Sequence, residues 1–189
     1  MLFLDFVERG LPAQTDLAGA VDVDHFDRDV VAFLADVRDL VDPVIRHFGD
    51  VEQSVLFWRD FLQEVPPDFV LALENVMEPQ PRLLAEIARQ VDDPRLGLCL
   101  DVGHANTFVS RVPPLEWVAP MAPWLRHVHL HNNAGHDDLH DPLGQGTLAM
   151  EQVLDTILEL CPAATFTLEN QDCGPSLAWL REHRYGANT

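Results

Sequence analysis

The chain has no lysine: all twelve of its basic residues are arginine. A Schiff-base lysine and a P-loop lysine are therefore excluded as reactive groups of this chain. Positive charge is scarce altogether, with 31 acidic residues against those twelve and a formal net charge of -19. Broad nucleic-acid binding needs a basic face, so nucleic acid is not an expected partner. An acid-rich, lysine-free composition is also what a high-salt cytoplasm selects, so the charge alone assigns no function. Cysteine is limited to Cys99, Cys161 and Cys173, without CxxC spacing, which reads as free thiols in a reducing cytoplasm. Cys99, inside an apolar run, is expected in the core. No apolar run approaches the ~18 residues of a membrane span. The opening MLFLDFVERG has too short an apolar run and no basic n-region, so no signal peptide is expected. These shortages predict a cytoplasmic protein with no membrane partner.

What is abundant is apolar sequence: 47% of the 189 residues are hydrophobic, enough for one domain with a sizeable core. Apolar, β-favouring runs recur as LFLDFV from Leu2, PVIRHF from Pro43, FVLALE from Phe69, LGLCLD from Leu96, HVHLH from His127 and TFTLE from Thr165. Helical patterns lie between them. HFDRDVVAFLADVRDLV has Asp27 or Asp29 near its start, and SVLFWRDFLQEV has Ser54 as N-cap. PRLLAEIARQV opens on Pro81, TLAMEQVLDTILEL has Thr147 as N-cap, and SLAWLREH follows the last strand. Alternating strand and helix predict an α/β fold with a parallel sheet. Strands that are nearly continuous apolar runs predict cover on both sheet faces. No compositional break divides the chain, so residues 1–189 read as a single domain. The likeness of LALEN to FTLEN fits repeated βα units.

Four later strands carry a ligand-type residue at the C-terminal end: Glu74, Asp101, His129 and Glu169. An acid after a strand often caps the next helix. Four in successive units point instead to a shared site, because the C-terminal ends of strands in parallel α/β barrels converge on one mouth. Such a set of oxygen and nitrogen donors suits Mn²⁺, Mg²⁺, Co²⁺ or Zn²⁺. The segment HVHLHNNAGHDDLH, running from His127 to His140, holds five of the nine histidines. His127, His129 and His131 alternate and so share a strand face. His127 lies deeper and is expected as a hydrogen-bonded core residue, while His131 is expected to line the pocket. His136 reads as solvated loop. Asp138 and His140, two apart, form a further candidate pair. Gly144 and Gly146 are expected to fold the loop back before the next helix.

LALEN, LCLDVGHA, HVHLHNNAGHDDLHDPLGQG and FTLEN, within roughly Pro43 to Asn170, resemble the xylose isomerase-like barrel superfamily. That group includes sugar and sugar-phosphate isomerases and epimerases, and the endonuclease IV-like proteins of AP endonuclease family 2. The resemblance implies a (β/α)8 TIM-barrel fold. Eight units take ~250 residues, so about six βα units are expected, with the barrel incomplete at the N-terminus. It implies one divalent ion held by Glu74, Asp101, His129 and Glu169, with Glu74 and Glu169 also moving the substrate proton. It implies a substrate contact at His104 and another at His47, which precedes Phe48 and Gly49. In endonuclease-like members, His104, Asp138 and His140 would hold a second metal. The implied function is a metal-dependent isomerase or epimerase of a small sugar, sugar phosphate or keto acid. Two other readings stand beside it. One is a metal-dependent phosphodiester hydrolase, favoured by His104, Asp138 and His140 and disfavoured, for DNA, by the acidic charge. The other is a degenerate barrel that binds metal without catalysis. A small-molecule substrate is expected, and the open edges of a short barrel predict a homo-oligomer.

Overall fold

The computed structural model describes residues 51–185. The expected strands LFLDFV and PVIRHF, the helix beginning near Asp27, and His47 lie outside the described residues. Helix α1 (Val51–Glu64) leads into strand β1 (Leu71–Glu74), followed by α2 (Arg82–Val91), β2 (Leu96–Asp101), α3 (Leu115–Met121) and β3 (Leu125–Leu130). Helix α4 (Met150–Leu160), β4 (Thr165–Leu168) and α5 (Gly174–Glu182) complete the order. The strands form one sheet in the order β1-β2-β3-β4, with every pair parallel. The helices pack neighbour on neighbour, α1 on α2, α2 on α3 and α3 on α4. Successive βα units with strands in sequential order are the TIM-barrel plan. No helix of the described residues is long and apolar enough to cross a membrane.

Period-two alternation divides the sheet into two unlike faces. Leu73, Leu98, Leu100, Val128, Leu130 and Phe166 are buried in the core with Ile87, Trp117, Met121 and Ile157 of the helices. The alternate positions, Glu74, Cys99, Asp101, His127, His129, Thr165 and Thr167, carry most of the sheet's polar groups. Pairing aligns them across strands: Glu74 with Cys99, Asp101 with His129, and His129 with Thr167. Between β2 and β3 the register shifts, so that Leu98 pairs with Leu125 while Cys99 pairs with His127. Arg126 is the residue passed over. Its side chain lies across Gly97, where any Cβ would collide with it, and bonds the Pro94 carbonyl.

Most elements fall where the periodicity places them, with three instructive departures. Helix α1 begins before Ser54, which is buried inside the helix rather than capping it. Helix α4 begins at Met150. The Thr147 hydroxyl is engaged elsewhere, with the Asn106 amide at 3.0 Å and the Asn133 carbonyl at 3.4 Å. Helix α3 was hidden by its prolines. Pro114 takes the N-cap position, where a missing N–H costs nothing. Pro120 removes a bond to the carbonyl of Glu116, an exposed residue that can turn to water instead. Buried Trp117, Val118 and Met121 anchor that short helix.

Asn75, immediately after β1 and buried, continues the β1–β2 ladder with its side chain. Its amide donates to the Asp101 carbonyl at 2.9 Å, and its Oδ1 accepts the Asp101 N–H at 2.8 Å. Asn75→Ala leaves both backbone groups without that partner and should cost about 1–3 kcal/mol in urea unfolding. A wild-type unfolding midpoint would show that the stitch carries no stability.

Candidate metal centre

At the C-terminal edge of the sheet, the polar face gathers around one atom. His129 Nδ1 lies 3.1 Å from Glu74 Oε1, 3.2 Å from Glu169 Oε1 and 3.7 Å from Asp101 Oδ2. Glu74 ends β1 and Glu169 directly follows β4, so they approach from the two outer strands of the described sheet. The Glu169 N–H bonds the Leu130 carbonyl at 3.1 Å, which fixes its backbone to β3. Asp101 is fully buried, and the other three are partly so. Asp101, His129 and Glu169 can offer ligand atoms all within 4.8 Å of one another, as can Glu74, Asp101 and His104. The structure thus brings the expected quartet together.

His104 begins a short 3-10 turn after β2. Its Nδ1 is 2.8 Å from the Asn75 carbonyl and 3.5 Å from Glu74 Oε1, and its Nε2 is 3.2 Å from Asp138 Oδ2. His140 Nε2 reaches the same Asp138 oxygen at 3.0 Å. His140 has a left-handed φ of 52° and rests its Nδ1 on the Glu169 carbonyl at 2.6 Å. His104, Asp138 and His140 therefore meet, and His131 joins their cluster. His131 was expected on the pocket wall. Its ring is fully buried behind Asp101, with Nε2 at 2.9 and 3.1 Å from the two carboxylate oxygens. His127 has both nitrogens on hydroxyls, Thr165 at 2.6 Å and Thr167 at 3.0 Å; it is hydrogen-bonded as expected, but half-buried on the polar face of the sheet and not in the core. His136 is exposed, with its ring beside the adjacent Asp137 and 5.4 Å from that of Phe108.

The asparagines that support this edge were not singled out from the sequence. Asn170 donates to the carbonyls of His140 and Asp141 at 3.0 and 2.8 Å, and accepts the Ser176 hydroxyl at 2.6 Å. Asn132 exchanges two 2.8 Å backbone bonds with Asp141, and its side chain takes the Leu143 carbonyl and the Leu148 N–H. Asn133 bonds the Gly103 carbonyl at 2.8 Å and accepts from Asn106 at 2.9 Å. The loop carrying Asp138 and His140 is thereby tied at both ends. Gly146, at φ 128°, provides the fold-back expected of it, against Asn132 and Asn133. A signal existed in the repeated Glu-Asn pair of LALEN and FTLEN: in both, the Asn tethers backbone beside the Glu.

Four carboxylates share this small volume, and they repel unless positive charge lies among them. Burial opposes ionisation of Asp101, but the facing His129 and His131 outweigh it and hold its carboxyl well below the usual range. Burial likewise opposes protonation of His129, yet Asp101, Cys99 and Glu74 drive it far above the ordinary imidazole value. His104 is raised to about 10: Asp138, Asp101 and Glu74 overcome its burial. Asp138 raises His140 to about 9. Burial, with Asp101 and Glu74 nearby, pushes Glu169 up against the pull of His129. A divalent cation meets the same demand with fewer particles, since one ion supplies two positive charges to imidazole nitrogens and carboxylate oxygens together. The residues present fit such an ion. Behind them, Cys99 and the paired Asn75 and His131 supply the outer contacts that orient metal-binding side chains.

The model of the xylose isomerase-like TIM barrel family matches residues 58–184. An uncharacterised protein of Methanocaldococcus jannaschii is 27% identical over 126 residues, 67% of this chain and 43% of that protein. Among solved structures, a D-tagatose 3-epimerase-like protein aligns at TM-score 0.53 and 28% identity over 61% of this chain and 45% of its own. A Thermus thermophilus protein soaked with ZnCl2 aligns at TM-score 0.51 and 34% identity, over 63% of this chain and 46% of its own. A xylose isomerase domain protein from Planctomyces limnophilus, at 22% identity and TM-score 0.57, shares the fold. The chain spans less than half the length of each of these relatives.

Adding Mn²⁺, Co²⁺ or Zn²⁺ to metal-stripped protein should raise its melting temperature, with about 2.7 kcal/mol of added stability at a hundredfold excess over Kd. Asp101→Ala should remove the response. Imidazoles coordinate only after giving up their protons, so the gain should grow as pH is raised. A melting temperature indifferent to all three ions would rule the centre out.

Proposed function

The chain belongs to the xylose isomerase-like TIM barrel family, and on that footing we propose that it is a divalent-metal-dependent isomerase or epimerase of a small sugar, sugar phosphate or keto acid. The observation that carries this reading is the placement of Glu74 and Glu169, 3.1 and 3.2 Å from one nitrogen of His129 and contributed by opposite sides of the described sheet. Epimerisation takes a proton from one face of a carbon and returns one to the other, so it needs two proton-carrying groups. An ion of Mn, Mg, Co or Zn, held by Glu74, Asp101, His129 and Glu169, would polarise the substrate's adjacent carbonyl and hydroxyl oxygens. Glu74 removes the proton alpha to the carbonyl. Glu169, whose carboxyl is raised by burial, holds the proton that is returned. His104, exposed enough to meet a ligand, orients the substrate; His47, outside the described residues, is assigned the same task. The likeness to a D-tagatose 3-epimerase-like protein supports the sugar class. Residues 1–189 are taken as one barrel domain, and three free cysteines support a reducing, cytoplasmic setting.

A second reading has its own observation. His104 and His140 meet at Asp138 Oδ2, at 3.2 and 3.0 Å, beside the first set. Two neighbouring ions would suit a phosphodiester hydrolase, by flanking its attacking and leaving oxygens.

Glu74→Gln should lower exchange of the alpha proton of a ketose substrate with solvent by about 10²–10⁴-fold. Asp138→Ala should leave close to one ion per chain. The hydrolase reading takes over if wild-type protein binds two or three ions, cleaves a phosphodiester and exchanges no proton on a panel of ketoses. Turnover of neither panel by metal-loaded protein would leave only a non-catalytic metal-binding barrel.

We also propose a homo-oligomer. Met77, Phe108 and Leu139 are large apolar side chains more than half exposed, and such surface favours association when it is contiguous. A monodisperse monomer in light scattering at moderate salt would count against it.

A further inference from the structure

His131 is fully buried, yet only one of its nitrogens is partnered. Nε2 lies 2.9 and 3.1 Å from the oxygens of Asp101. Nδ1 has no hydrogen-bond partner. It faces Asp138 Oδ1 at 3.6 Å, beyond hydrogen-bond range by a few tenths of an ångström. The ring is held on three sides. It stacks on His140 with centroids 3.9 Å apart and planes 4° apart, and meets His104 edge-on at 5.9 Å. On another side it lies against Gly103, where any Cβ would run into the imidazole.

Proximity alone would make His131 a ligand beside His140, but the stacking argues otherwise. An imidazole lone pair lies in the plane of its ring. Two nearly parallel, stacked rings direct their lone pairs along separate planes, which do not converge on one ion. Nε2 is moreover committed to Asp101. His131 instead touches a member of each candidate ligand set: Asp101 through a hydrogen bond, His140 through its face, and Asp138 across a narrow gap.

We infer that His131 is a positioning residue that couples the Glu74, Asp101, His129 and Glu169 ion position to the His104, Asp138 and His140 cluster. This rests on the metal-dependent reading of the site. The ring is rigid and has no room to turn, so a shift of Asp101 is passed to His140 and Asp138, and a shift of their loop is passed back. Coupling of this kind is reciprocal: whatever the cluster does to the first ion, the first ion does to the cluster.

The test is a Co²⁺ titration of metal-stripped protein, read by calorimetry and by visible absorption. The variants are His131→Phe, which keeps a ring but removes both nitrogens, His131→Gln, Asp138→Ala, and the Phe and Ala changes combined. His131→Phe should weaken the first ion about ten- to a hundredfold, as loss of an outer partner of a metal ligand does, and should alter the absorption of the bound Co²⁺. Glutamine, which can still donate to Asp101, should recover part of the affinity, and it serves as the test if the phenylalanine variant does not fold. Asp138→Ala should change first-ion affinity in the wild-type background by about fivefold or more, and by clearly less when position 131 is Phe. Equal effects in both backgrounds would remove the coupling, because independent sites add. His131→Phe with wild-type affinity and spectrum would remove the positioning role as well, while leaving the metal reading intact. Wild-type protein that binds no Co²⁺ would overturn the metal reading, and this inference with it.

Discussion

A carboxylate cut off from water must be surrounded by donors, and Asp101 is that carboxylate. Much of the site follows from satisfying it. Its Oδ1 accepts the His104 N–H at 2.7 Å, which sets the short turn that presents the His104 ring. Both oxygens meet His131, which is why that residue lies behind the site. Its backbone is held on both sides by Asn75, so the strand end cannot fray toward solvent. A group this constrained is costly to bury, and the apolar layer between sheet and helices, with Leu98, Leu100, Val128, Ile87 and Trp117 nearly inaccessible, offsets that cost.

Beneath the carboxylates lies a floor of different character. His127 is pulled down to about 4 by burial and by the neighbouring His129, the opposite direction to His129 itself. Its two nitrogens are occupied by threonine hydroxyls. A neutral, fully bonded ring under a charged one separates the reactive layer from the rest of the sheet and spares the interior a further charge. The two histidines are two residues apart on one strand and share an alternation; only their depth and neighbours separate their chemistry.

The parts legible in the sequence were those governed by local rules. Strand ends could be placed because apolar runs stop at Glu74, Asp101 and Glu169, and β2 occupies LGLCLD as the run predicts. The convergence of His104, Asp138 and His140 was legible only through family resemblance, since nothing local brings a strand-end turn against a loop 34 residues away. The burial of His131 was not legible. Alternation assigns it to the face of His129, but it falls one residue past the strand, where the chain turns and the loop folds over it. The asparagines escaped notice for a related reason. Their partners are backbone groups far along the chain, and a side chain that replaces a missing ladder bond leaves no periodic trace.

The register shift between β2 and β3 has a consequence for how such a chain can vary. Arg126 is an extra residue in the strand, and the ladder takes it up as a bulge, with two residues of β3 opposite one of β2. With that bulge, His127 and His129 fall in phase with Cys99 and Asp101. Were the ladder to run straight through Arg126 instead, Val128 and Leu130 would take the polar face, and both histidines would be driven into the hydrocarbon layer under the helices. Phase therefore depends on the bulge and not on the residue in it: without Arg126, itself exposed, His127 would follow Leu125 directly and still meet Cys99, whereas with Arg126 present the ladder must skip it. The chemistry of the centre is in this sense metrical, kept by the step at which the ladder skips a beat as much as by the residues on either side of it.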